Sequence, residues 1–287
     1  MSEPVLSIGQ CASLACLLEA TAPKPGNVHR GADFENLTYV DFAASAVAMG
    51  PAFDRAAAGA PLGKTVLAAV QAMRAAVATN TSLGAILLLA PLAMVPPDQP
   101  LKAGVQKVLE QLSADDCRLV YEAIRLAEPG GLGEVDQADI SEPPPQDLLY
   151  AMRLAAERDL VARQYVNGFE QVLDELTCWL AAGLERQWPL AEVIVRAQLR
   201  LMSRYPDSLI ARKCGPQLAA RAAAWAGSVL ESGEPGDEAY HRAVVDFDFW
   251  LRSDHHRRNP GTSADLTAAG LFCALRDGII QLPLRFY

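Results

Sequence analysis

An all-α protein, folded as one multi-helix domain over residues 1–287, is what three features of this sequence predict. Alanine and leucine dominate while β-branched residues are sparse over long stretches, a balance that favours helix. Almost every long segment repeats its apolar residues at helical spacing. No two neighbouring segments alternate with a strand period around a hairpin turn. Hydrophobic residues fill 51% of the 287 positions, which supports a sizeable core and excludes a disordered chain.

The elements follow in order. Ser7 and Gln10 form a capping-box pattern ahead of "CASLACLLEATA", a helix ending near Glu19. A charged loop follows. Thr38 and Asp41 repeat the box ahead of "FAASAVAMGPAF". "GKTVLAAVQAMRAAVA" is a strong helix, and Asn80 or Thr81 then caps "LGAILLLAPLAM". "PPDQPL" breaks the chain before the helices "VQKVLEQL" and "ADDCRLVYEAIRLA". Residues 128–146 are the main irregular stretch, a linker or a loop over a site. From Asp147 to about Gly183 the pattern is helical and amphipathic. "PLAEVIVRAQLRLMS" opens on proline, a good first helical residue. "RYPDSLIARKCGP" is a short helix or a functional loop, and "QLAARAAAWAGSVL" and "YHRAVVDFDFWLRSD" are helices. A charged loop, "HHRRNPGTS", precedes the last helix, "ADLTAAGLFCALRDG".

Composition narrows the function. A net charge of −9 and a pI of about 5.0 argue against nucleic acid or an anionic membrane surface as partner. The longest apolar run, 83–97, holds Gly84 and Pro91 and is too short to span a bilayer. The six cysteines form no C-x-x-C pair, and reduced, buried thiols in a cytoplasmic protein are expected. The N-terminus lacks the basic start and apolar core of a signal peptide. "GAPLGKT" leaves one residue too few between its first glycine and Gly-Lys for a P-loop, so Lys64 is expected to be a solvated first-turn residue. His255 and His256 lack the spacing of a zinc pair, and no serine sits in a nucleophile elbow. Asp246 and Asp248 are expected on a solvated helix face.

The suggestive chemistry collects on loops at helix ends: "PKPGNVHRGADF", "TNTSLGA", "YPDSLIARKCG" and "RRNPGTSADL". Each joins glycine or proline to a hydroxyl, an amide or a carboxylate, and most add a cation. Helix N-termini and nearby cations suit a polyphosphate, and carboxylates suit Mg²⁺ bridging it. Together they predict a nucleotide site, with Lys24, Asn80, Asp207 and Asp265 lining one cleft. The plainer alternative is that Asp41 and Asp265 only cap helices with Thr38 and Thr262. Likewise, Glu19 would only end a helix, and Arg212 and Lys213 would only complement a helix C-terminus.

"EATAPKPGNVHR", "TNTSLGAILLLAPL", "PDSLIARKCG" and "NPGTSADLTAAGLF", in that order over residues 19–272, resemble the triphosphoribosyl-dephospho-CoA synthase family. The resemblance implies an all-helical transferase that uses Mg²⁺. It would move the triphosphoribosyl part of ATP to the 2′-hydroxyl of dephospho-CoA and release adenine. It puts Lys24, His29 and Arg30 on phosphate with Gly26 in the same loop. Asp33 and Asp41 would bind metal or act as base, and Asn80 and Thr81 would touch nucleotide or metal. Asp207 and Arg212 would form the opposite wall, with Asn259, Ser263 and Asp265 closing the site. Asp265 is a further metal and catalytic candidate.

Two departures mark a divergent branch, one resembling members linked to tetrahydromethanopterin one-carbon metabolism. The synthases carry His-Lys-Gly after Asn-Thr, where Ser82, Leu83 and Gly84 stand here, and Asp-Thr-Asn where Asp207, Ser208 and Leu209 stand. The acceptor is accordingly dephospho-CoA-like or a pterin-pathway compound, and the donor ATP or a similar nucleotide. A homodimer is an open alternative to a monomer. A non-catalytic helical protein that binds a nucleotide, cofactor or partner enzyme is the competing reading.

Overall fold

The computed structural model describes residues 6–130 and 137–287. Among the described residues there are fourteen α-helices: α1 Ile8–Thr21, α2 Tyr39–Ala57, α3 Leu62–Ala76, α4 Leu83–Ala93, α5 Leu101–Glu110, α6 Ala114–Ala127, α7 Leu148–Ala155, α8 Leu160–Asn167, α9 Thr177–Glu185, α10 Leu190–Arg204, α11 Ser208–Cys214, α12 Pro216–Glu231, α13 Glu238–Arg252 and α14 Gly261–Arg276. A π-helical segment, Gln171–Leu176, leads directly into α9. Among the described residues there is no strand, and no helix is long and apolar enough to cross a membrane. The all-α expectation is met.

The capping boxes at Ser7/Gln10 and Thr38/Asp41 form as the spacing predicts, and Ser113/Asp116 adds a third at the start of α6. Thr262/Asp265 has the same spacing and forms none. The helix starts at Gly261, directly after Pro260, so Thr262 lies inside the first turn and cannot cap it. The amphipathic stretch after Asp147 is three short helices and the π segment, interrupted where Gly168 turns left-handed at φ 71°. Of the irregular stretch 128–146, residues 131–136 lie outside the described residues.

The main core gathers around α4, whose residues are buried on nearly every side, and α14, which packs on α1, α4, α9 and the π segment. A helix apolar all round belongs in such an interior. α1 and α2 approach closely: a Cβ at Gly9 would lie 2.3 Å from the Gly50 carbonyl oxygen, and the Ser13 hydroxyl donates to the Ala46 carbonyl at 2.7 Å. A second apolar cluster joins α10 to α13 through Leu199, Ile210, Ala222 and Phe247. α10 belongs to both, since Ile194, Ala197 and Leu201 face the first cluster while Val195, Leu199 and Met202 face the second. The chain's end closes over α10, whose first N–H groups donate to the carbonyls of Arg285 and Phe286 at 3.1 and 2.9 Å.

All six cysteines are free, but Cys178 is exposed and Cys214 only partly buried, against the expectation of burial for every one. Lys64 is exposed at the start of α3, as expected. Asp248 is not a solvated helix residue. It accepts the Gly26 N–H at 2.7 Å and binds Arg252 Nε at 2.8 Å.

Candidate active site

The loop after α1 is tied to the rest of the fold at Gly26 and Asn27. Pro23 and Pro25 fix two φ angles and prevent helix. Gly26 takes φ 76° with Leu251 and Pro260 2.9 Å from where a Cβ would stand, so glycine is required there. Asn27 accepts from Gln198 Nε2 and donates to Asn259 Oδ1, each at 2.7 Å. Arg252 also donates to the Asn27 carbonyl. The first and last polar loops thus meet on one side of the molecule. Lys24 turns inward with 0% exposure, and its ammonium pairs with Glu19 Oε1 at 2.8 Å and donates to the Glu19 carbonyl. Ion pairing and a hydrogen bond offset the cost of burying that charge. The consequence is a fixed Glu19 carboxylate.

Glu19 lines a cavity of about 360 Å³ together with Asp265, Asn80, Thr81, Asn259 and Lys213. Asp265 projects from the first turns of α14 towards α4. Its Oδ1 accepts the Ala85 N–H at 3.0 Å, and its Oδ2 fills the space beside Gly84, where a Cβ would be only 2.1 Å away. Burial, and next the charge of Glu19, push the Asp265 carboxyl well above the usual carboxylate range. Asn80 Oδ1 accepts the Leu83 N–H at 3.1 Å, satisfying one free donor at the start of α4. The Thr81 hydroxyl donates to Ser45 at 2.8 Å.

The facing wall comes from the start of α8 and the end of α11. Asp159 caps α8, accepting the Val161 N–H at 2.8 Å, and its other oxygen pairs with Arg212. Lys213 beside it has its ammonium pushed below the ordinary lysine range by burial and then by Arg212. An anion entering the cavity would relieve both effects. The cavity therefore holds the Glu19 and Asp265 carboxylates, the Arg212–Asp159 pair with Lys213 beside it, and the N-terminus of α4, where the helix dipole favours negative charge.

Of the residues expected on one cleft, Asn80 and Asp265 line the cavity, while Lys24 and Asp207 stand behind its wall. Thr81, Arg212 and Asn259 are on the wall as well. Asp207 is buried and accepts four hydrogen bonds, from the Leu209, Ile210 and Ser263 N–H groups and the Ser263 hydroxyl. It ties α11 to α14, and burial holds its carboxyl above the ordinary value despite those donors. Ser263 is its partner and points away from the cavity lining. Gly26 shapes the loop. His29 lies outside the lining, and burial together with Arg252 and Lys24 lowers its pKa to about 4, so it carries no charge at neutral pH. Arg30 is exposed and lies over the Tyr287 ring, 5.9 Å from its centre. Asp33 accepts the Tyr39 N–H at 2.7 Å, and Asp41 accepts both the N–H and the hydroxyl of Thr38 at 2.8 Å. Neither lines the cavity.

Sequence reasoning weighed Glu19 and Lys213 only as a helix end and a complement to a helix C-terminus, and did not single out Asn27 or Asp159. Asn27 stood within a quoted motif, and Asp159 is an acid directly before an apolar-periodic run, a recognisable cap signal. Nothing local in the sequence marks which way Glu19 faces.

The donor set bears on Mg²⁺. Among the described residues no group of three His, Cys, Asp or Glu side chains is placed to hold a metal. Mg²⁺ in nucleotide sites takes one or two carboxylates and completes its shell with water and phosphate oxygens. Glu19 and Asp265 line the cavity and fit that limited role, whereas Asp41 does not line it.

The profile of one protein family, CitG, described as ATP:dephospho-CoA triphosphoribosyl transferase, matches residues 6–282. Among solved structures, one from Archaeoglobus fulgidus, proposed to be a triphosphoribosyl-dephospho-CoA synthase, superposes with a TM-score of 0.63 at 29% identity. The match covers 83% of this chain and 99% of that one. No curated protein matches.

Proposed function

This chain belongs to the ATP:dephospho-CoA triphosphoribosyl transferase family, and from that premise we propose that the cavity between α1, α4 and α14 is where the transfer occurs. The observation that carries the reading is the Asp265 carboxylate, recessed beside Gly84 within the field of Glu19 and opposite Arg212 and Lys213. In the reaction the acceptor's 2′-hydroxyl forms a bond to the anomeric carbon of the ATP ribose. The bond from that carbon to adenine breaks, and its electron pair leaves on the adenine nitrogen. The proton lost by the hydroxyl ends on adenine. Positive charge develops on the ribose ring as in other glycosyl transfers, and a nearby carboxylate stabilises it.

Asp265 and Glu19 supply that negative charge, and Asp265, with its raised proton affinity, is the group suited to receive the hydroxyl proton. Lys213 and Arg212 bind the triphosphate, which stays attached to the ribose. Asn80, Thr81 and Asn259 orient the nucleoside through their amide and hydroxyl groups. When Mg²⁺ accompanies the triphosphate, Glu19 is the carboxylate that would hold it and the ion would neutralise phosphate charge, leaving Asp265 free to take the proton. Lys24 fixes Glu19, while Asp33, Asp41, Asp207 and Ser263 fix the loops and helix starts around the cavity.

Doubly labelled ATP tests the reading with dephospho-CoA as acceptor. Ribose label should appear in a product heavier by one triphosphoribosyl group, and adenine label should appear as free adenine. ATP binding without either product, across dephospho-CoA and pterin-pathway acceptors, would support a non-catalytic nucleotide-binding protein instead.

A further inference from the structure

A second cavity, of about 170 Å³, adjoins the first. Both are lined by Ile124, Met152, Ala155, Asp159 and Arg212, so one wall serves the two spaces. The rest of the smaller lining joins the apolar Ala138 and Ile140, and Leu148, Ala151 and Leu154 of α7, to Tyr121, Gln137, Asp139 and Arg158. Its roof, residues 137–142, is fastened to α6. The Tyr121 hydroxyl donates to the Ala138 carbonyl at 2.9 Å, and Arg125 donates to the carbonyls of Ile140 and Glu142, both at 2.6 Å. The space is therefore a built concavity.

Cations mark its edges. Arg158 is exposed and donates to the Leu154 carbonyl at 3.1 Å, with no carboxylate partner among the described residues. Arg212 meets Asp159 through Nη1, and its buried Nε has no partner. Both guanidinium groups retain donors for an anion, and guanidinium suits phosphate oxygens in pairs.

Transfer between two nucleotides sets a space problem. A cavity of about 360 Å³ suits one ligand of drug size, yet donor and acceptor must reach the same carbon. Dephospho-CoA joins its reacting ribose to a diphosphate and then to a long, uncharged arm of methylene and amide groups. Such an arm requires an apolar channel that leaves the reacting centre past a pair of cations. Resting on the reading above, we infer that the smaller cavity is the acceptor's arm site. Arg158 holds the diphosphate and α7 lines the pantetheine channel, while Arg212, on the shared wall, stays with the triphosphate of Mg·ATP in the larger cavity.

Steady-state kinetics and calorimetry on Ala151→Phe and Arg158→Glu test this. Phenylalanine at 151 fills the channel, and Arg158→Glu, on the exposed edge, keeps the fold if the first variant does not. Each should raise KM for dephospho-CoA at least about ten-fold, the scale of one lost charged contact, with KM for ATP unchanged. 4′-Phosphopantetheine alone should compete with dephospho-CoA and not with ATP. Equal shifts in both KM values, or unchanged dephospho-CoA affinity in both variants, would overturn the assignment, as would a wild-type protein that does not bind dephospho-CoA. If no acceptor yields adenine but calorimetry shows dephospho-CoA binding that the two variants weaken, the transfer reading falls and the arm site stands.

Discussion

Lys24 and Asp265 show how burial decides what a charged residue does. On a loop with two prolines and two glycines, Lys24 has the sequence context of an exposed phosphate ligand, and its removal would then leave stability unchanged. The turn at Pro25–Gly26 instead directs it inward onto Glu19. Lys24→Ala leaves a buried carboxylate without its partner, a loss of about 3–5 kcal/mol, so its melting temperature should fall steeply. Arg30→Ala, on the surface over Tyr287, should leave both melting temperature and KM for ATP near wild type. The reverse outcome for the pair would return Lys24 and Arg30 to the substrate. Asp265 carries a pH signature. The folded protein holds its proton more tightly than the unfolded chain, so stability from this group is complete below about pH 4 and declines as pH rises through the raised folded value. Melting temperature at neutral pH should be higher in Asp265→Asn than in wild type, and the two curves should converge in acid. Parallel curves at all pH values would show that the carboxyl is not perturbed.

At the level of elements, helix existence was legible and helix contacts were not. Apolar spacing located most of the long helices, and Ser7 and Thr38 marked two true starts. The same box at Thr262–Asp265 misled because spacing cannot tell which turn a residue occupies once Pro260 and Gly261 begin the helix. What the pattern hid is that Asp265 serves α4, 180 residues away in sequence. Gly84 carries the other half of that contact. Its missing Cβ admits the carboxylate, so Gly84→Ala forces Asp265 out and should cost about 1–3 kcal/mol by overpacking and most of the activity. In an Asp265→Ala background the same change meets no carboxylate. There alanine's better helix propensity should stabilise by up to about 1 kcal/mol. A double-mutant cycle by denaturant unfolding checks the reversal of sign, and additive effects would show that the two residues do not touch.

For the whole molecule, a net charge of −9 excludes a general polyanion surface, so triphosphate binding must rest on local cations. Composition foretold that much and could not say which cations. Lys24, His29 and Arg30 are neighbours in sequence, whereas Arg212 and Lys213 join the cavity only when α11 packs beside α14. Lys213 makes no ion pair among the described residues, so Lys213→Ala should raise KM for ATP about ten- to a hundred-fold while melting temperature changes little. Because burial lowers its proton affinity, ATP binding in the wild type should begin to weaken with rising pH below the ordinary lysine value. Flat ATP affinity across that range would remove Lys213 from the triphosphate.

In the proposed reaction the recessed Asp265 carboxylate drives transfer of the triphosphoribosyl group. The most direct measurement is single-turnover release of adenine from Mg·ATP with dephospho-CoA, in wild type and Asp265→Asn, alongside thermal unfolding of both. Asparagine retains the shape and the oxygen that accepts the Ala85 N–H but removes the charge. Adenine release should slow at least about ten-fold in Asp265→Asn, or 1.4 kcal/mol in the barrier, in a protein that melts no lower than wild type. Undiminished adenine release in Asp265→Asn would contradict that role.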